Sequence, residues 1–177
     1  MQVPRRIYNL DSVDRFIVGT VGQPGEREFY LQAKKVGQVF TFALEKSQAQ
    51  ALTERFAEIL KDVKATTGAT SRDVEPLDAP VDSEFTLGVM AITWQFETQL
   101  IRFEGQAITG DSSEEIYEEI VGDEVESAPA IVRITLTPSQ VRSFIQRALT
   151  VIRAGRQPCM FCGGPINVDG HICPRAN

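Results

Sequence analysis

The segment Phe40-Thr-Phe-Ala-Leu-Glu-Lys-Ser-Gln-Ala-Gln-Ala-Leu52 indicates the fold class, because a strand-like stretch passes directly into a helical one. Residues 39–44 are apolar and strand-forming. Ser47 is a good helix N-cap, and Leu52, Phe56 and Ile59 then recur at helical spacing. The sequence therefore predicts a strand that ends near residue 44 and a helix over residues 47–64.

The same order of elements occurs twice along the chain. Strands are predicted over 15–22 and 27–36 before this join, and over 85–96, 99–108 and 130–136 after a stretch rich in Pro and Asp, residues 75–83, which is interpreted as a linker. A second helix is predicted over 138–154, with Thr137 as its N-cap and Pro138 at its first position. The expected class is α+β, with antiparallel sheets and two helices that each cover one face.

The second strand–helix join, Val132-Arg-Ile-Thr-Leu-Thr-Pro-Ser-Gln-Val-Arg-Ser-Phe144, aligns with the first without gaps. Ser47 and Gln48 fall on Ser139 and Gln140. This alignment predicts two βββα units, residues 13–68 and 84–155, related by a pseudo-twofold axis. The alternative stays open, since any two such joins look alike at this length. The predicted domains are an α+β domain over 1–155 and a zinc knuckle over 156–177.

Composition indicates a soluble globular chain. Of the 177 residues, 42% are hydrophobic and 24% are charged, and no apolar run approaches the roughly 18 residues of a membrane span. No apolar stretch follows the N-terminal arginines, so a secretory signal is not expected. Cysteines in a metal-type array favour a reducing compartment, so the predicted location is cytoplasmic and no membrane insertion is expected.

The net charge of −6 is unevenly distributed. Residues 109–128 carry eight carboxylates and no Lys or Arg, which is typical of a solvated loop. Residues 141–177 carry five arginines against one aspartate: Arg142, Arg147, Arg153, Arg156 and Arg175. This asymmetry is also compatible with an acidic tether and a basic binding face.

All three cysteines and the only histidine fall within fifteen residues: Cys159, Cys162, His171 and Cys173. Structural zinc sites take four Cys or His ligands in a tetrahedron and leave no open position. Gly163 and Gly164 follow the Cys-x2-Cys pair and permit a tight turn. The sequence therefore predicts one structural Zn²⁺ held by these four residues.

Other roles for the cysteines are less favoured. A redox dithiol or a disulfide remains open, but a thioredoxin-like pair belongs on a strand-to-helix turn, whereas this pair follows a predicted helix. A catalytic zinc would need a position open to water, and four protein ligands argue against it. With the only histidine assigned to the metal, any general base would be a carboxylate or a lysine. Whether the chain catalyses a reaction stays open.

A glycine-rich turn is a candidate phosphate site. Gly19, Gly22 and Gly25 would let backbone amides approach a ligand, and Arg27 would meet its charge. The turn lacks the Gly-Lys-Ser/Thr ending of a Walker motif, and a strand rather than a helix follows it. A hairpin that only needs glycine is the simpler interpretation.

Nucleic-acid binding is a further possibility. Arg142, Arg153 and Arg156 are spaced by 11 and 3 residues, which predicts a shared helix face, and Met160 and Phe161 would add a stacking surface. A sequence pI near 4.9 works against a polyanionic partner. The arginines could instead pair with the acidic residues 109–128 of the same chain.

Motifs at both ends of the chain carry a family resemblance. They are Asp14-Arg-Phe-Ile-Val-Gly-Thr-Val-Gly-Gln-Pro-Gly-Glu-Arg27, Phe29-Tyr-Leu-Gln-Ala33, Leu44-Glu-Lys46, Ala154-Gly-Arg156, Pro158-Cys159, Cys162-Gly163, Pro165, Gly170-His-Ile-Cys-Pro-Arg175 and Asn177. With these residues the chain resembles the bacterial family called domain of unknown function 3090. The resemblance implies the hairpin and the Cys/His tail but no reaction. Genes of this family tend to lie beside genes for a histidine-phosphatase-like protein and a lipid-kinase-like protein, so the resemblance hints at phosphate metabolism.

Three functions are therefore considered. The favoured one is a non-catalytic adaptor or regulatory module that presents the knuckle and the hairpin to a protein partner. The second is an enzyme acting on a phosphorylated small molecule or nucleotide, with phosphate bound by the Gly19–Arg27 hairpin. The third is an RNA-binding protein that uses the C-terminal arginines.

Overall fold

The computed structural model describes residues 4–108, 118–166 and 170–175. They form seven strands and two helices: β1 Ile7–Leu10, β2 Arg15–Val21, β3 Glu28–Lys35, β4 Gln38–Leu44, α1 Lys46–Asp62, β5 Phe85–Gln95, β6 Leu100–Ala107, β7 Ile131–Leu136 and α2 Pro138–Arg153. The α+β class and the eight predicted elements are confirmed. The short strand β1 was not predicted. Among the described residues, no helix is long and apolar enough to cross a membrane.

Both helices begin with the same local chemistry. Thr137 caps α2, and its amide donates to the side chain of Gln140 at 2.9 Å, with Pro138 at the first helical position as predicted. The prediction of Ser47 as the cap of α1 is wrong by two residues. Glu45 is the N-cap, and its amide donates to Gln48 at 2.8 Å. The reciprocal Gln at the third position fixes the helix start, so Ser47 lies inside the first turn.

The strands form one mixed sheet rather than separate antiparallel sheets, in the order β1-β7-β6-β5-β4-β3-β2. The two predicted meanders, β2-β3-β4 and β5-β6-β7, are each antiparallel. Parallel pairing of β4 with β5 joins them, and β1 adds to β7 in parallel. The expectation of antiparallel pairing alone therefore fails at these two contacts, which join segments far apart in sequence.

The internal repeat is not confirmed. Because β4 and β5 are parallel and adjacent, the second βββ unit follows the first along the sheet in the same direction. A shift of three strands along the sheet relates β2-β3-β4 to β5-β6-β7 with the strand directions unchanged. The predicted pseudo-twofold axis stays unconfirmed.

The sheet is strongly curled. β1 and β2 lie at opposite edges, which would be about 29 Å apart in a flat seven-stranded sheet. Only four residues connect Leu10 to Arg15, and five extended steps span at most about 18 Å. The two edges must therefore approach each other. Phe16 on β2 and Phe103 on β6 accordingly come within 6.1 Å between ring centroids, although three strands lie between them.

Both helices fill the concave side of this sheet, so each covers one face as predicted, and the face is the same for both. Phe56 of α1 and Phe144 of α2 lie 5.4 Å apart between ring centroids. Both also contact Phe16 of β2, where the Phe16–Phe144 pair is stacked at 4.9 Å. Each ring is buried, and such aromatic pairs contribute about 0.5–1.5 kcal/mol beyond their area. This cluster joins the helices and the sheet into one core.

The segment 70–83, which contains the predicted linker 75–83, packs against the chain. Leu77 covers Gly19 on the outer face of β2, where a Cβ on the glycine would lie 2.6 Å from the Leu77 Cγ. The Gln32 side chain donates to the Asp78 carbonyl at 2.9 Å and accepts from its amide at 2.8 Å. These contacts make the segment a cover for the β2–β3 surface.

A buried arginine fastens this segment to α2. Arg147 is only 8% exposed, and its guanidinium donates to the carbonyls of Val18 at 2.7 Å, Asp73 at 3.0 Å and Glu75 at 2.6 Å. It also pairs with the Asp73 carboxylate at 3.0 Å. Arg15 donates to the same carboxylate, which lowers the pKa of Asp73 below its usual value. Arg147, one of the five arginines considered for a basic binding face, is instead buried and holds the segment 73–75 against α2 and β2.

The described part of the acidic stretch, residues 118–128, lies against other arginines than those predicted. Asp123 pairs with Arg133 at 2.7 Å and with Arg5 at 3.1 Å. The hydrogen bonds from Arg133 lower the pKa of Asp123. Arg5 also donates to the carbonyls of Val121 and Pro129. Residues 109–117 of this stretch lie outside the described residues.

Candidate metal centre

The chain folds into a tight hairpin directly after α2. The Ile166 amide donates to the Gln157 carbonyl at 2.9 Å, and the Cys159 amide donates to the Gly164 carbonyl at 2.7 Å. The Gly163 amide closes the turn onto the Cys159 carbonyl at 2.8 Å, and Gly163 has φ +73°. Residues with a side chain rarely adopt this conformation, so glycine suits the position. The turn holds Cys159 and Cys162 on one side of the hairpin.

The four predicted ligands lie together. The Sγ atoms of Cys159, Cys162 and Cys173 and a ring nitrogen of His171 are all within 4.8 Å of one another. The Cys159 and Cys173 sulfurs are 3.8 Å apart, and the Cys162 sulfur is 3.2 Å from His171 Nε2. A tetrahedral ion with metal–sulfur bonds of about 2.3 Å separates its sulfurs by about 3.8 Å. The cluster therefore has dimensions that could hold one metal ion.

The cysteines are free thiols in this geometry. A separation of 3.8 Å between the Cys159 and Cys173 sulfurs is far beyond the roughly 2.05 Å of a disulfide bond. Hydrogen bonds from the Cys162 and Phe161 amides lower the pKa of Cys159. The Gly164 amide acts in the same direction on Cys162, but burial and the neighbouring thiols of Cys173 and Cys159 raise the pKa of Cys162 overall. A metal ion would offset the repulsion between neighbouring thiolates, because it binds cysteine in the deprotonated form.

Large apolar side chains surround the cluster on the solvent side. Met160 is 88% exposed, Phe161 is 61% exposed and Ile172 is 96% exposed. Cys159 is the only tail residue among the buried residues of the described chain. The tail therefore packs its candidate ligands inward and leaves its large apolar side chains in solvent. A segment that packs onto the core of its own chain would instead bury those apolar side chains.

The glycine-rich turn holds three of the four residues predicted to bind phosphate. Gly22 and Gly25 lie in the turn between β2 and β3, each with φ +101°. Arg27 follows them, and its guanidinium lies 3.4 Å from the Val151 carbonyl of α2 and 5.6 Å from the centroid of the Phe29 ring. Gly19 lies apart from the turn, inside β2 and beneath Leu77.

A pocket of about 260 Å³ opens beside Arg27, and Lys46 at the start of α1 also lines it. Glu28, Glu45 and Tyr30 contribute polar groups. None of the four cluster residues lines this pocket. Sequence reasoning missed Lys46, since only the fold brings the start of α1 beside the hairpin.

The hairpin nevertheless contacts the base of the tail. A Cβ on Gly25 would lie 3.0 Å from Arg156 Nε, so the arginine side chain packs over the glycine. Arg156 is therefore engaged with the turn. Arg142 and Arg153 line two adjoining grooves on either side of Gln146. Of the three arginines predicted to share a basic face, two flank one stretch of α2 and the third reaches the hairpin.

Comparison with known proteins gives one match. The family described as "Protein of unknown function (DUF3090)" matches residues 8–173, which is nearly the whole chain. No curated protein and no solved structure matches the chain.

Proposed function

The chain belongs to the DUF3090 family, and we propose that it is a non-catalytic binding module whose tail folds around one zinc ion and presents an apolar surface to a partner protein. The observation that carries this proposal is the arrangement of the tail. Four ligand atoms converge within 4.8 Å, and the bulkiest apolar side chains nearby face solvent.

The donor set favours zinc. Three thiols and one imidazole are soft or borderline ligands, which suit Zn²⁺ better than Mg²⁺ or Ca²⁺. Four protein ligands fill a tetrahedron and leave no position for substrate or water. Zinc in this site would therefore act structurally, by holding Cys159–Gly164 and His171–Cys173 together in a segment with almost no buried core.

The exposed side chains support a protein partner. Exposed apolar patches of this kind mark interaction surfaces on soluble proteins. Met160 and Phe161 project from the turn between the first two ligands, and Ile172 stands between the last two. Zinc binding would fix all three relative to one another, so a partner would lose little entropy by docking.

Metal analysis tests the first half of this proposal. Purified protein should contain about one zinc per chain, since the described residues bring together one cluster of four candidate ligands. Cys159→Ser and Cys173→Ser should each lose the zinc, whereas Met160→Ser, in the same turn but not a ligand, should keep it. A stoichiometric Cys159–Cys162 disulfide in metal-free protein would contradict the assignment.

A matched pair of surface variants tests the second half. The double variant Phe161→Ser/Ile172→Ser should keep its zinc and its melting temperature but lose a partner that wild-type protein retains in pull-down. Phe96→Ser removes another exposed phenylalanine, in the turn between β5 and β6, and should retain the partner. Self-association, detected as a dimer by light scattering, would identify the partner as a second copy. If the double variant retains the partner as well as wild type does, the proposed binding surface is wrong.

The pocket beside Arg27 favours a second candidate, an enzyme acting on a phosphorylated small molecule. Arg27 and Lys46 place two cations in a concave site next to the glycine turn. If phosphate binds there, inorganic phosphate should raise the melting temperature, and Arg27→Gln and Lys46→Gln should abolish this protection. None of the four cluster residues lines this pocket. An enzyme that used the metal would need both in one cleft, so this separation supports the binding module over the enzyme.

A further inference from the structure

The outer face of α2 is a surface that neither proposed function uses. Arg142, Gln146, Leu149 and Arg153 follow one another at intervals of four, three and four residues, so they form one stripe along the helix. Two open grooves meet along this stripe, and Gln146 lines both. We propose that this α2 surface, defined by the residues that line the two grooves, docks an acidic amphipathic helix of a partner protein.

The middle of the α2 surface is apolar. Leu149 is 40% exposed and Val74 is 69% exposed, and both line the wider groove, of about 660 Å³. Leu60 of α1 and Ile145 line the narrower groove, of about 370 Å³. Arg147 donates to the carbonyls on both sides of Val74, so the backbone holds this side chain in solvent. Exposed apolar side chains that are already fixed in place favour docking, because little entropy is lost on binding.

Cations flank this apolar stretch at both ends. Lys61 and Arg142 line the narrower groove, Arg72 and Arg153 line the wider one, and no carboxylate among the described residues lines either. None of the four cations forms an ion pair within the described part of the chain, although the net charge of the chain is −6. A partner that carries carboxylates on both sides of an apolar stretch would therefore match the α2 surface in charge as well as in hydrophobicity.

The dimensions and the lining favour a helix as the occupant. Arg142 and Arg153 are separated by about 16 Å along α2, which matches a partner helix of about three turns. No lining residue belongs to a strand, so an extended peptide would find no sheet edge for its backbone, whereas a helix satisfies its own backbone groups. No lining residue is aromatic, so the surface lacks the stacking side chains that bind single-stranded RNA.

Selection from a library of random peptides of about twelve residues tests the proposal, with the full-length protein as bait. Peptides that also bind Phe161→Ser/Ile172→Ser are kept, because they do not depend on the apolar side chains of the tail. The kept peptides should combine apolar residues at helical spacing with an excess of Asp and Glu. In fluorescence anisotropy, Arg142→Glu/Arg153→Glu should weaken their binding about tenfold or more, because it replaces attraction by repulsion.

Two further variants complete the experiment. Leu149→Ser should also weaken the kept peptides, since it removes part of the apolar stretch. Arg6→Glu/Arg55→Glu is the matched control, because it changes the net charge equally at exposed arginines outside the α2 surface, and it should bind the peptides as wild type does.

Four outcomes would overturn the proposal. They are the absence of any kept peptide, kept peptides without an acidic excess, acidic peptides that bind Arg142→Glu/Arg153→Glu as well as wild type, and binding that the matched control weakens equally. Polyuridylic acid that binds more tightly than the peptides and is lost in Arg142→Glu/Arg153→Glu would assign the surface to RNA instead. A dimer in light scattering that this variant dissociates would assign it to a second copy. The proposed tail surface does not depend on any of these results, because the kept peptides bind without it.

Discussion

Removal of the Arg147 side chain should destabilise the protein severely. The guanidinium makes four contacts, with three carbonyls and the Asp73 carboxylate, and the side chain is 9% exposed. Arg147→Ala leaves these acceptors without their donor in a nearly dry site. Removing one partner of a buried ion pair lowers the free energy of unfolding by about 3–5 kcal/mol. Water that enters the vacated space would solvate the exposed acceptors, so we expect a loss within that range.

Equilibrium unfolding in urea measures this loss. A cost of about 3–5 kcal/mol is a large part of the 5–15 kcal/mol typical of a domain, and it should lower the urea midpoint by roughly 1–2 M. Arg55→Ala is the matched control, because its ion pair with Glu58 is exposed and should contribute less than about 1 kcal/mol. If Arg147→Ala unfolds within about 1 kcal/mol of wild type, the segment 70–78 is not fastened as described.

Three further outcomes follow from the structure. Arginine and lysine contacts lower the pKa of Asp73 and Asp78, so both carboxylates stabilise the fold above the unfolded pKa of about 3.9 and lose this effect as pH falls below it. The melting temperature of wild type should therefore fall more between pH 5 and pH 3 than that of Asp73→Asn, and equal falls would contradict the assignment. Gly105→Ala would place a Cβ 2.5 Å from Leu87 Cδ2, and it should cost about 1–3 kcal/mol in thermal unfolding; an unchanged melting temperature would show that Leu87 moves freely. Removal of metal by a chelator should expose the tail to protease while the far-ultraviolet circular dichroism stays nearly constant. The reason is that Cys159 is the one buried residue in the described part of the tail, so the core does not depend on it. Loss of the whole signal would mean that the tail supports the core.

Local chemistry made most of the elements predictable. The periodic apolar residues of α2 and the Thr137-Pro138 start identified that helix to within a residue. By contrast, β1 has only four residues, and its partner β7 lies more than a hundred residues away, so no local pattern marks it as a strand. The curl and the strand order depend on such distant pairings, which propensities do not encode.

The two candidate sites show the same limit. The metal centre was predictable because its four ligands are the only thiols and imidazole in the chain and lie close in sequence. The pocket beside Arg27 combines residues 27–30 with Lys46 and Thr86, each of an ordinary type for a surface. Only the fold brings the start of α1 beside the hairpin.

The parallel pairing of β1 with β7 also dictates an order of events as the chain is synthesised. Ile7 pairs with Ile131, so β1 leaves the ribosome 124 residues before its neighbour exists. At typical elongation rates this delay is on the order of ten seconds. The strands β2 to β6 can pair during this time, since each is hydrogen-bonded to the next one in sequence. The first strand to be made is therefore among the last to join the sheet, and Tyr8 reaches its contacts with Phe42 and Phe85 only when the sheet curls shut.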